Sequence, residues 1–220
     1  MKKFEFTGET RQVELLFRTV TLHRIKAVAE FGIVKVGDLG GWIEKEENLS
    51  HEGKAWVWGD AKVWGNAKVC GNAKVYGNAK VWGNAKVCGN AELWGDAKVW
   101  GDAEVWGNAK VWGDAEVWGN AKVCGDAEVW GNAKVCGNAK VFSASHVLVI
   151  GAIGSRNDFT TFFRDKDNEI TVKCGCFLGK IYKFLEKVCE THGDSKYAIV
   201  YKTAVEIAKQ QIDLSEEKQL

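Results

Sequence analysis

From Gly53 to Phe142 the chain repeats one six-residue phrase, Gly-Asn/Asp-Ala-Lys/Glu-Val-Trp, fifteen times without an insertion. Along an extended backbone Ala and Val point to one face, and the charged and aromatic residues between them point to the other. Gly and Asn/Asp then turn the chain, being the residues that reach positive φ at least cost. A strict period predicts a solenoid, in which each unit buries its apolar side only by stacking on its neighbours. The rival, an antiparallel meander of four-residue strands, leaves the Val/Ala face without a second layer, whereas a coil gives it an interior.

The phrase Val-Trp-Gly-Asn-Ala-Lys resembles the hexapeptide repeat of the left-handed parallel β-helix superfamily, with an aliphatic residue followed four places on by a small one. The resemblance spans about 90 of the 220 residues. It implies three hexapeptides per triangular coil, so that positions eighteen apart lie above one another. That fold carries acyltransferases, carbonic anhydrases and non-catalytic scaffolds alike, and so implies little about chemistry. The chain also departs from the enzyme pattern, with a bulky aromatic after Val where a small or acidic residue is usual.

Stacked in threes, the aromatic position sorts into three columns. Side one reads Trp58, Tyr76, Trp94, Trp112 and Trp130; side two reads Trp64, Trp82, Trp100, Trp118 and Cys136; side three reads Cys70, Cys88, Trp106, Cys124 and Phe142. At a coil spacing of about 4.8 Å the rings of a column are expected to stack. The charged position alternates on side one as Lys74, Glu92, Lys110 and Glu128, pairing opposite charges between coils. Residues 53–91 hold six Lys and one Asp, while 92–142 hold five Lys against eight acids.

The flanks lose the period. Residues 1–50 read as a β-rich N-terminal cap, with strand content at Phe4–Thr7, Val13–Val20 and Leu22–Val28, a turn at Gly8, and an irregular first coil from Gly37 to Ser50. After the repeat region, 51–150, residues 151–220 read as a C-terminal ββαα domain. Ser143–Leu148 is a degenerate sixteenth repeat and Gly151–Asp158 a linker. Phe159–Arg164 and Glu169–Phe177 then form a hairpin around residues 165–168. One helix has an apolar stripe of Leu178, Ile181, Tyr182, Leu185, Val188 and Cys189. A second, capped by Asp194, has Tyr197, Val200, Tyr201, Ala204 and Ala208. The predicted fold class is mainly β: a left-handed parallel β-helix of five to six coils with a cap at each end.

Hydrophobic content of 46% suffices for a core, and a net charge of +1 excludes a dedicated nucleic-acid binder. No apolar segment follows Met1-Lys2-Lys3 as in a signal peptide, and no run reaches the length of a membrane span. Seven cysteines, an odd number in no disulfide-framework spacing, fit a reducing cytoplasm. Cys70 and Cys88 come within bonding range but are expected as thiols.

The regular repeats contain no histidine, on which hexapeptide acyltransferases and γ-class carbonic anhydrases depend. His51 and His146 flank them and are the candidate acyl-transfer bases. Cys174, Cys176, Cys189 and His192 are the candidate zinc set, weighed against buried thiols packing strand on helix. No cofactor is implied. Two aromatic columns exceed the apolar patch a soluble monomer usually shows. The leading expectation is therefore a non-catalytic scaffold that self-associates, as a trimer by the resemblance, with head-to-tail stacking of a basic end on an acidic one as the other geometry. The N-terminal segment also resembles small phage and Firmicutes proteins labelled hexapeptide transferase or polymer-forming protein. That resemblance implies a phage accessory role, and with it an alternative function: sequestration of a nucleotide-type signal at Lys62, Lys68, Lys74, Lys80 and Lys86 with Trp64, Tyr76 and Trp82. A further alternative is acyl transfer from acyl-coenzyme A.

Overall fold

The computed structural model describes residues 2–215. Its centre is a parallel β-solenoid of about six coils. Fifteen two-residue strands, β4 (Trp56–Val57) to β18 (Lys140–Val141), fall one per hexapeptide. Strands eighteen residues apart pair in parallel register, as Lys98 with Glu116 and Val99 with Val117. Every repeat Ala and Val, and Leu93 in a Val slot, is buried, forming one continuous core along the axis. At the corners the Gly residues hold φ near +70°. A Cβ on Gly89 would lie 2.9 Å from the backbone nitrogen of Gly107 one coil away, so the corner needs Gly for both torsion and space. The Asn/Asp position does more than turn the chain: Asn72 donates to Asn90, Asn90 to Asn108 and Asn108 to Asp126, each at 3.0 Å. Such a ladder can end on Asp because a carboxylate only accepts.

Preceding the coils, β1 (Phe4–Glu14) and β2 (Thr19–Ala27) form an antiparallel hairpin, and β3 (Leu39–Ile43) joins it to the side-two strand β5 (Lys62–Val63). Side two is thus an eight-stranded sheet. Gly8 makes a register break inside β1 rather than the expected turn. The turn falls at residues 15–18, inside the stretch expected as one strand from Val13 to Val20. The irregular first coil is present: Leu49 bridges Val69 in parallel, and Asn48 is buried, its amide donating to the carbonyls of Gly65 and Ala67.

The C-terminal domain is larger than a ββαα unit. β19 (Val147–Ile153), β20 (Asp158–Arg164), β21 (Ile170–Cys174) and β22 (Phe177–Lys180) form a four-stranded antiparallel meander, followed by α1 (Ile181–His192) and α2 (Lys196–Gln211). The stretch expected as a degenerate repeat and linker thus contributes a strand, because Val147–Ile153 pairs with β20. Ser195, not Asp194, precedes α2 as its N-cap. In α1 the buried positions are Phe184 and Val188, and in α2 they are Ala198, Tyr201, Ala204, Val205 and Ala208. Leu178, Tyr182 and Val200, expected in the apolar stripes, are exposed, since the helices meet the sheet through Phe184 and Tyr201.

Both ends of the coil are covered. At the N-terminal end Trp56 fills a Lys/Glu slot and is fully buried against Phe4 and Phe31, while the Lys3 ammonium donates to the Ala55 carbonyl at 2.8 Å. At the other end Thr161 Oγ1 accepts from the Lys134 backbone N–H, and Asp165 bridges Ala139. Cys136 is buried there, which pushes its thiol up to about 11. Open solenoid ends expose apolar core and strand edge, and these contacts remove both.

Candidate binding surfaces

The two aromatic columns are present and largely stacked. On side two Trp64, Trp82, Trp100 and Trp118 lie 4.8 to 5.0 Å apart with planes within 3°. On side one Trp58 meets Tyr76 edge-on, Tyr76, Trp94 and Trp112 stack, and Trp130 stacks on Trp112 at 6.2 Å. Inside a ladder each ring face is covered by the next ring, leaving edges outward. Trp130, at the C-terminal end, is 59% exposed, the most open of the column rings. The charged positions pair as the spacing predicts: Lys74 with Glu92, Lys98 with Glu116, Lys110 with Glu128, and Glu104 with both Lys86 and Lys122.

The five lysines grouped from the sequence are divided among three faces. Lys74 lies on side one with Tyr76, paired with Glu92 at 2.7 Å. Lys68 and Lys86 lie on side three beside Cys70 and Cys88, at a cavity of about 470 Å³ that His51 and Glu46 also line. Cys70 and Cys88 are joined in a disulfide, correcting the expectation of thiols; in-register coils bring their Cα atoms to 4.6 Å, within disulfide range. Lys62 and Lys80 lie on side two and form no salt bridge among the described residues. They share a groove of about 400 Å³ with Trp64 and Trp82, roofed by residues 12–15 of the N-terminal hairpin.

The hairpin that makes this groove was not visible as a roof in the sequence. Arg11 anchors it, its guanidinium lying 4.3 Å over the Trp42 ring and donating to Asp60 at 2.8 Å. That hydrogen bond holds the Asp60 carboxyl below its ordinary range. Lys62 and Lys80 are directly opposite in register, so like charges face each other. Burial, and after it the charges of Arg11 and Lys80, lowers the Lys62 ammonium below the usual lysine value.

Both candidate bases are structural. His51 Nδ1 accepts from the Lys3 backbone N–H at 3.1 Å, Nε2 lies 2.8 Å from Glu46, and the ring stacks on Phe4. His146 is buried; its Nδ1 accepts from the Phe142 N–H at 3.1 Å and its Nε2 lies 3.1 Å from the Arg164 guanidinium. The two rings belong to opposite caps; His51 has both nitrogens engaged, and His146, accepting at Nδ1, carries its proton on Nε2, so Arg164 is a close neighbour there and not a donor to it.

The candidate zinc set does not assemble. Cys174 ends β21, Cys176 sits in the following turn rather than on the same strand face, and Cys189 is exposed on α1. Among the described residues the one group of three ligand atoms close enough for a metal is Asp165, Asp167 and Glu169. The ammonium of Lys180 already sits among them, 2.6 Å from Asp165. Burial works to raise Asp165, but hydrogen bonds from Lys180, Thr171 and two backbone N–H groups hold it below its ordinary value.

No protein-family model and no curated protein matches the chain significantly. Among the described residues no helix is long and apolar enough to cross a membrane.

Proposed function

We propose that the protein is a non-catalytic interaction scaffold, a capped and rigid solenoid that self-associates through an indole ladder. The observation that carries this reading is the use of side chains inside the coils. Rings stack on rings, amides bond to amides and Lys74, Lys86, Lys98, Lys110 and Lys122 pair with glutamates one coil away, so most of the ladder's side chains are used by their own equivalents. What remains outward is a row of indole edges fringed by charge, suited to a flat, repetitive contact. The covered ends speak against head-to-tail stacking and favour side-by-side packing about an axis parallel to the coils, the trimeric geometry that the repeat's resemblance implies. Acyl transfer finds little support, since His51 and His146 are held in the caps by their own partners. Light scattering at micromolar concentration tests the scaffold reading. A mass near three times the 24.3 kDa chain is expected, falling to one chain in Trp94→Lys; a monomer with no partner added would overturn it.

A second reading, capture of a nucleotide-type anion in a phage accessory role, is favoured by the side-two groove. Lys62 and Lys80 face each other there in register and form no salt bridge among the described residues, although Glu14 of the roof also lines the groove, and a phosphate between them would relieve their repulsion. Base stacking inside the ladder has no free ring face, so the recognition would rest on charge and indole edges. A thermal-shift panel of mono-, di- and cyclic nucleotides separates the readings. Stabilisation lost in Lys62→Gln/Lys80→Gln supports capture, and none at millimolar ligand removes it.

A further inference from the structure

The C-terminal domain holds a cavity of about 480 Å³ between the loop after β19, the β21–β22 turn, α1 and α2. Its volume falls within the range of small-molecule sites. Its floor is apolar, from Phe177, Phe184 and Val188, and its rim carries Arg156, Lys187 and His192. Among the described residues no carboxylate lines it. Arg156 forms no salt bridge among the described residues, whereas Lys187 shares its charge with Glu190 at 3.1 Å. Arg156 is therefore the rim's main uncommitted cation.

Close packing places these groups. The Tyr201 hydroxyl lies against Gly154, where a Cβ would come within 2.0 Å of the ring, which pins the loop carrying Ser155 and Arg156 to α2. The Arg156 guanidinium lies over Gly175 in the β21–β22 turn, where a Cβ would approach its Nη1 to 2.9 Å. His192 stacks on the Tyr201 ring at 5.7 Å. Tyr201 is buried, which raises its phenol above the ordinary value, and its hydroxyl accepts from the Cys174 thiol at 3.9 Å.

We infer that this cavity is a binding site for a small organic anion, a single carboxylate or phosphate head carried on an apolar, ring-sized body. The head meets Arg156, with His192 and the hydroxyls of Ser155 and Thr191 at the same rim, and the body covers Phe177 and Val188. Two thiols expected as zinc ligands, Cys174 and Cys176, line this cavity with His192, but Cys189 lies outside it.

Two measurements on the full chain test the inference. Isothermal titration compares phenyl phosphate and benzoate with benzyl alcohol, which lacks the charge, and inorganic phosphate, which lacks the body. Binding is expected for one or both of the first pair, weakened about tenfold or more in Arg156→Gln and unchanged in Lys62→Gln/Lys80→Gln, which separates this site from the side-two groove. Binding only to inorganic phosphate, equal binding by Arg156→Gln, or no binding by a chain whose melting curve shows it folded would each overturn the proposal. The second measurement uses Cys176, exposed at the cavity, and Cys189, exposed outside it, as internal probes. The ratio of alkylation by iodoacetate to that by iodoacetamide, read by peptide mass spectrometry, cancels each thiol's own ionisation. It is expected to be several-fold higher at Cys176 and to fall to the Cys189 value in Arg156→Gln; equal ratios in the native chain would count against the site.

Discussion

Between Ala55 and Val141 a side chain's nearest partner is usually its own equivalent one coil away, whereas in the caps it is a different residue from a different element. Trp82 stacks on Trp100, Asn90 bonds to Asn108 and Lys98 pairs with Glu116. In the caps His146 accepts from the Phe142 N–H, and Asp165 gathers Thr171 and Lys180. Repetition therefore satisfies the solenoid's polar and aromatic groups internally, while the caps bring unlike groups together. Among the cations without a salt bridge among the described residues are Lys62 and Lys80, under the hairpin where the two kinds of structure meet, and Arg156 within a cap.

The contrast breaks most severely in the core. Val99 is fully buried between Val81 and Val117, and Val99→Asp is expected to cost more than about 4 kcal/mol and abolish cooperative unfolding in calorimetry. If only one end of the coil melted, the solenoid would not be a single unit.

The C-terminal cap is next. His146→Ala leaves the Phe142 N–H without its acceptor in a buried site, and is expected to cost about 1 to 3 kcal/mol in urea unfolding. His146→Gln, which keeps an acceptor, should recover part of it. An unchanged midpoint in the alanine variant would remove the structural role assigned to His146.

At the N-terminal cap the test is pH. Burial lowers the Lys3 ammonium from 10.5 to about 8. Its folded-state value lies below its unfolded one, so the charged form costs stability in full below about pH 8, and the cost fades as pH rises toward 10.5. Relative to Lys3→Met, the native chain is expected to gain on the order of 2 kcal/mol between pH 7 and pH 10. Parallel pH profiles for the two chains would show that Lys3 carries no such penalty.

The smallest effect sharpens the comparison inside the solenoid. Lys80→Glu places an acid between Lys62 and Lys98 and restores the alternation seen elsewhere, so it is expected to raise stability by about 0.2 to 1 kcal/mol. A lower melting temperature would mean that the lysine column costs the fold nothing.

The solenoid was legible because its information is local. One hexapeptide states the turn, the inward pair and the outward pair, and the period fixes which residues stack, so the Val core, the indole columns and the Lys–Glu pairs follow from the sequence. Its irregularities were legible in principle too: Trp56 in a charged slot, and Cys136 ending a side-two column that is otherwise all Trp, fall in the coils that the caps cover. The caps resisted because their contacts join elements far apart in the chain and no period sets their register. Only the tertiary structure turned Val147–Ile153 into a fourth strand, folded the hairpin over Lys62 and Lys80, tied His51 and His146 into the caps, and left Arg156 at a cavity that no acid among the described residues lines. Burial and proximity between such segments depend on how the whole chain closes, which composition and spacing alone do not specify.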